Sequence, residues 1–140
     1  MQKTLCVLAM MMLLGLTGCT DKKISQAEEA ATMVAENWIM MVDKGQFEKC
    51  WETSSAFFKN SVPQDKWLKT MQELREPMGN NISRKVSSTG YYTKLYGAPE
   101  GEYVVIKIEA GFENKASSKE MITLVLEEDG KWRVAGYYLK

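Results

Sequence analysis

From Gln26 onward the apolar positions fall at helical spacing, with Ala27, Ala31, Val34, Trp38 and Met41 recurring at intervals of four and three. Ser25 stands where an N-cap would, Glu28 completes a capping box, and Glu29 adds negative charge to the first turn. Asp43-Lys44-Gly45 ends this predicted helix, Gly45 being suited to a left-handed cap. Phe47, Cys50 and Trp51 repeat the spacing over a short second helix, which Ser54-Ser55 interrupts before another apolar pair, Phe57-Phe58. Ser61-Val62-Pro63-Gln64 reads as a further start, with serine and glutamine in capping-box positions and proline in the first turn. Trp67, Met71 and Leu74 form the stripe of that third helix, and Pro77-Met78-Gly79-Asn80-Asn81 stops it.

Beyond residue 82 the period changes from 3.6 to 2, the mark of strands. A first strand from Arg84 to about Leu95 is interrupted by Ser87-Ser88-Thr89-Gly90, which predicts a bulge near Gly90. Gly97 to Gly101 reads as a turn. Glu102 to Phe112 is a strand with Val104, Ile106, Ile108, Ala110 and Phe112 on one face, and Tyr103, Val105, Lys107 and Glu109 on the other. In the last hairpin, a two-residue turn at Asp129-Gly130 would pair Leu126 with Arg133 and scatter the apolar residues. A three-residue loop with Gly130 in a bulge pairs Glu127 with Lys131, Leu126 with Trp132, Leu124 with Val134 and Ile122 with Gly136. This register gathers Ile122, Leu124, Leu126, Trp132, Val134 and Tyr138 on one face, so burial selects it. Helices followed by an antiparallel meander of three to four strands predict an α+β fold of two layers.

The residues ahead of the first helix have a different character. Lys3 precedes an apolar run from Leu5 to Leu16, which ends in Thr17-Gly18-Cys19: the basic start, apolar middle and small-residue exit of a secretory signal. The run is shorter than the roughly 20 residues a membrane-spanning helix needs. Leu16-Thr17-Gly18-Cys19 resembles the lipobox of bacterial lipoproteins. That resemblance implies cleavage between Gly18 and Cys19, acylation of Cys19, and attachment to the membrane through several acyl chains, which together anchor stably. By resemblance to enterobacterial sorting, an aspartate directly after the cysteine favours the inner membrane. Here Thr20 follows and Asp21 comes one place later, which implies the periplasmic face of the outer membrane. The expected organisation is a signal peptide over 1–18, a lipidated tether over 19–25 and one α+β domain over 26–140.

Removing residues 1–18 of the 140 leaves 122, one domain's worth and enough for a real core. The whole chain carries 18 basic and 18 acidic residues, a balance that points away from nucleic acid and leaves membrane attachment to lipid. Of three cysteines, Cys6 falls in the leader and Cys19 at the lipid site, so Cys50 has no intramolecular partner and is expected to be a buried, inert thiol. There is no histidine, which removes Ser-His and Cys-His catalysis and histidine-based metal sites. No cofactor and no metal are expected. Glu127-Glu128-Asp129 reads as a solvated turn, too compact a run to chelate calcium well.

An ordered set of residues also carries a family likeness: Trp38, Val42-Asp43-x-Gly45-x-Phe47, Cys50-Trp51, Trp67, Gly79, Arg84, Gly101-Glu102-Tyr103-Val104-Val105, Glu120, and Asp129-Gly130-x-Trp132-Arg133-Val134-Ala135-Gly136-Tyr137. The chain resembles, over roughly residues 27 to 139, the bacterial family catalogued as domain of unknown function 4019. The resemblance implies a cone-shaped fold like nuclear transport factor 2 or cystatin, with helices closing one face of a curved sheet. It brings no activity with it. The position before the second tryptophan is usually small or polar in that family and is Cys50 here.

Glu120 is the leading site candidate, because it continues the Ile122-Leu124-Leu126 face and falls opposite Tyr138 in the selected register. A carboxylate there is costly unless paired. Arg84, sharing parity with Val86 and Tyr92, is placed to reach it. Arg84, Glu120 and Tyr138 would grip a ligand at a cone mouth, or form a structural ion pair. Trp38, Trp51, Trp67 and Trp132 are expected in the core, and the tyrosines in cross-strand pairs. The expectation is a non-catalytic binding or interaction domain, taking a small apolar ligand or a protein partner, with its oligomeric state open. The alternatives are an acid–base enzyme using Glu120 and a tyrosine, and an assembly partner acting through the sheet face that bears Tyr103, Val105 and Met121.

Overall fold

The computed structural model describes residues 17–140, arranged as helices followed by an antiparallel sheet. The leader's basic start and apolar run, with Cys6 and Met10-Met11-Met12, lie outside the described residues. The helices are α1 (Thr17–Asp43), α2 (Phe47–Glu52), α3 (Ala56–Ser61) and α4 (Gln64–Arg75), the last closed by a 3-10 turn over Glu76–Met78. Strands β1 (Asn81–Tyr92), β2 (Tyr103–Phe112), β3 (Lys115–Leu126) and β4 (Trp132–Leu139) form one four-stranded meander in sequence order. The fold is α+β, as the change of period predicts.

α1 starts earlier than its capping signals suggest. Residues 20–25, read as a tether, are helical, and Ser25 lies inside the helix rather than at its N-cap. No glycine or proline interrupts residues 19 to 44, and once a helix has nucleated each added residue gains a hydrogen bond, so it propagates past Ser25. Lys23 Nζ meets Glu102 Oε1 at 2.7 Å and ties this extension to the sheet. The end is as predicted: Gly45 adopts φ 68°, and the amides of Gly45 and Gln46 donate to the carbonyls of Val42 and Met41. The buried stripe is Ala31, Ala35, Trp38, Ile39 and Val42, a slightly rotated version of the predicted face, with Val34 and Met41 at its border. α1 touches all four strands. Among the described residues no helix is long and apolar enough to cross a membrane.

The short helices between α1 and the sheet are stapled by indoles. Trp38 Nε1 donates to the Cys50 carbonyl at 3.0 Å, Trp67 Nε1 to that of Phe47 at 2.8 Å, and Trp51 Nε1 to that of Val62 at 2.8 Å. Each ring thus buries its area while its one donor is satisfied. The segment at Phe57-Phe58 is a helix of its own, capped by Ser55, whose hydroxyl accepts from the Phe58 amide. Ser61 ends that helix instead of capping the next, and its hydroxyl donates to the Phe57 carbonyl. α4 therefore begins after Pro63 with no side-chain cap. Ser55 N–H also donates to the Val134 carbonyl at 2.9 Å, which covers part of the outer edge of β4.

β2 alternates as expected, burying Val104, Ile106, Ile108, Ala110 and Phe112 against the helices. The bulge in β1 falls at Ser87, not near Gly90, which pairs regularly with Val105. It flips the parity of the strand beyond it: Tyr91 turns inward opposite Val104, and Tyr92 outward opposite Tyr103. The last hairpin has the predicted three-residue loop. Leu126 pairs with Trp132, Leu124 with Val134, and Glu127 N–H donates to the Lys131 carbonyl, with Gly130 at φ 76°. Past Leu124 a second irregularity enters, because Ala135 is an extra residue and Thr123 pairs with Gly136. Ile122 therefore faces Tyr137, not Gly136, and Glu120 faces Leu139, not Tyr138.

Candidate functional site

Five side chains, one each from three strands and from the C-terminal ends of two helices, converge on the inner face of the sheet. Arg84 from β1 and Glu120 from β3 are both placed inward by their pairing with Ala110 and Ile108 of β2. Asp43 is the last residue of α1 and Arg75 the last of α4. The Ala135 bulge turns Tyr137 inward from β4.

Glu120 is 1% exposed and has all its bonds within this group. It accepts from Arg84 Nε at 2.6 Å on Oε2, and from Arg84 Nη2 at 3.2 Å and the Tyr137 hydroxyl at 2.7 Å on Oε1. Arg84 turns its other edge to Asp43, donating from Nη1 at 2.6 Å and from Nη2 at 3.0 Å. Asp43 Oδ1 also accepts from Arg75 Nη2 at 2.9 Å. One guanidinium thus bridges two carboxylates in the bidentate fork geometry that makes such pairs strong. Two acids face two bases, so the group is formally neutral, which is what allows it to be buried. Arg75 is 7% exposed and lies 4.7 Å over the Phe112 ring, a cation–π contact that accompanies its single hydrogen bond.

The protonation states follow from these contacts. Burial works against the Asp43 carboxylate, but the hydrogen bonds from Arg84 and Arg75 outweigh it and hold its pKa below the ordinary value. Burial likewise works against the Arg84 cation and is overcome by Asp43 and Glu120, which raise its pKa. The Tyr137 phenol is pushed up, first by burial and then by the charge of Glu120. It donates its proton to the carboxylate and keeps it.

Tyr138, the tyrosine expected opposite Glu120, is on the outer face and 53% exposed. It does not join Arg84 and Glu120; Tyr137 holds that place. Asp43 and Arg75 were not legible as site residues, although Asp43 carried a signal. An acid at a helix C-terminus opposes the helix dipole and calls for a cation to hold it. Cys50 is buried as expected, and burial pushes its thiol up to about 12. Trp38, Trp67, Tyr137 and Phe58 form one aromatic cluster, with Trp38 and Tyr137 centroids 5.4 Å apart and Phe58 edge-on to Trp67 at 5.2 Å. Among the described residues no group of three or more Cys, Asp and Glu side chains is arranged to hold a metal ion.

Beside the charged group a groove of about 370 Å³ opens between α1 and the inner side of β1 and β2. Ile39 and Met40 line it from the helix together with the polar Thr32, Glu36 and Asn37, and Val86, Ile106, Ile108 and Arg84 line it from the sheet. Met40 and Val86 are 49% and 41% exposed, so the apolar wall reaches solvent.

No curated protein matches the chain. A solved structure from Catenulispora acidiphila, described only as a 2.5 Angstrom structure, aligns with 90% of this chain and 94% of its own at 12% identity and a TM-score of 0.48. The family described as "Protein of unknown function (DUF4019)" matches residues 34–137, a stretch that includes Asp43, Arg75, Arg84, Glu120 and Tyr137, and this chain belongs to that family.

Proposed function

We propose that the chain is a lipid-anchored, periplasm-facing module of the bacterial outer membrane that works by binding rather than by catalysis. The anchor rests on the leader and on Leu16-Thr17-Gly18-Cys19. A Cys19→Ala variant should leave the membrane fraction; one that still partitions into detergent with the membranes overturns the anchor.

The observation that carries the binding reading is the groove. It is concave and lined mainly by apolar side chains, with Thr32, Glu36, Asn37 and Arg84 as its few polar groups, the composition of a small-ligand site. The neighbouring acids support the same reading. Every oxygen of Asp43 and Glu120 accepts from an arginine or from Tyr137, whereas a general base needs a free lone pair turned to its substrate. A small apolar or amphipathic molecule lying along Ile39, Val86 and Ile108 is the expected ligand class.

Native mass spectrometry of the exported protein, alone and with a medium-chain fatty acid as probe, tests this. The expected result is an adduct or a probe complex that Val86→Glu abolishes without unfolding the protein. A bare chain that also ignores the probe overturns the reading.

A further inference from the structure

The face of the sheet turned away from the helices carries a different chemistry. At the Tyr103 end it is covered by residues 93–102: Tyr103 is 2% exposed, and its hydroxyl donates to the Pro99 carbonyl at 2.7 Å. Tyr103 is thus not part of an open surface, contrary to the sequence expectation. The other end is uncovered. There Lys85, Glu109 and Lys119 stand side by side across β1, β2 and β3, with Lys140 bonded to Lys119 through both backbone groups. The next row holds Lys107, Met121 and Tyr138.

These side chains place four lysines and one glutamate on one small surface, in a chain with 18 basic and 18 acidic residues. All four lysines are exposed. The ion pairs among the described residues engage other cations: Lys23, Lys69, Arg75, Arg84, Lys94 and Arg133. Glu109 stands directly opposite Lys85 and Lys119 and offsets part of their charge, but one acid among four lysines leaves the surface net positive and complementary to a negatively charged partner. Met121 and Tyr138, 36% and 53% exposed, lie within it.

We propose that this open half of the sheet docks an acidic polypeptide segment that also carries apolar side chains. Charge complementarity gives the sign of the partner, and shape gives its class. The surface is hollowed, with about 410 Å³ beside Lys85, Glu109 and Lys119 and about 260 Å³ beside Lys107, Met121 and Tyr138. A flat bilayer surface does not enter such hollows, whereas side chains of a peptide do. Met121 and Tyr138 reward an apolar side chain there. Glu109 repels an array of phosphates, yet it accepts from the backbone N–H groups that a polypeptide brings. The site is separate from the groove between α1 and β1.

The test is an NMR titration of the isotopically labelled exported protein with a short glutamate-rich peptide carrying leucines, and in parallel with bilayer discs of anionic phospholipid. The expected result is peptide-induced shifts at the amides of Lys107, Lys119 and Met121 that fade as salt is added. Reversing the charge in a Lys107→Glu, Lys119→Glu double variant weakens binding by roughly tenfold or more. If that variant misfolds, Lys107→Gln with Lys119→Gln serves in its place, with a smaller loss of the same sign. Absence of shifts at millimolar peptide, shifts centred elsewhere, or binding to the discs in preference to the peptide overturns the proposal.

Discussion

The Tyr137 hydroxyl donates to Glu120 Oε1 across 2.7 Å, and the bulge at Ala135 is what brings them together. In a regular ladder continuing from Leu124 and Val134, Tyr138 would face inward and Tyr137 would point to solvent. One extra residue in β4 exchanges the two.

The bulge itself is open to a deletion experiment. Removing Ala135 lets Val134 and Gly136 follow one another opposite Leu124 and Thr123, and Tyr137 keeps its place opposite Ile122. We expect the deletion variant to fold, at a cost of about 1–3 kcal/mol for the lost burial and twist. Urea unfolding measures the cost. Alkaline absorbance titration then checks whether one tyrosine still ionises late.

The two arginines of the buried group differ in what they leave behind. Arg84→Met strands Glu120, 1% exposed, without a cation, and should cost about 3–5 kcal/mol. Arg75→Met leaves Asp43 with both Arg84 bonds and a side chain one-quarter exposed. It should cost about 1 kcal/mol or less. Equal losses in urea denaturation at neutral pH would contradict this division of labour between the two arginines.

Stability should fall at both ends of the pH scale for different reasons. The folded-state pKa of Asp43 is depressed, so its contribution is complete above the unfolded carboxylate value of about 3.9 and is lost as pH falls through the lower folded value. Tyr137 is raised, so its contribution is complete below the unfolded phenol value of about 10 and is lost as pH rises beyond it. Tyr137→Phe should flatten the alkaline limb and leave the acid limb in place, as read from melting temperature against pH.

Cys50 should be silent toward thiol reagents in the folded protein. It is fully buried, its thiol is pushed up to about 12, and the Trp38 indole holds the backbone around it. Labelling of a Cys6→Ala, Cys19→Ala double variant should follow the rate of global unfolding. Fast labelling without unfolding would show that the α1–α2 contact opens locally.

The order of elements, the inward face of β2 and the three-residue loop at Gly130 were all legible in the sequence, because each depends on local period and turn chemistry acting over a few residues. The partnership of Arg84 with Glu120 was legible for a related reason: an acid on an apolar strand face demands a cation of matching parity. Tertiary structure decided what local pattern leaves free. The bulges at Ser87 and Ala135 reverse the parity of everything beyond them, which put Tyr91 and Tyr137 inside and left Tyr92 and Tyr138 outside. Bulges answer to the twist the whole sheet needs under its helices, and no short window of sequence contains that demand. Asp43 and Arg75 joined the buried charges for the same kind of reason. Each lies at a helix end, and where a helix end arrives is settled by packing across the molecule, not by the residues that form the helix.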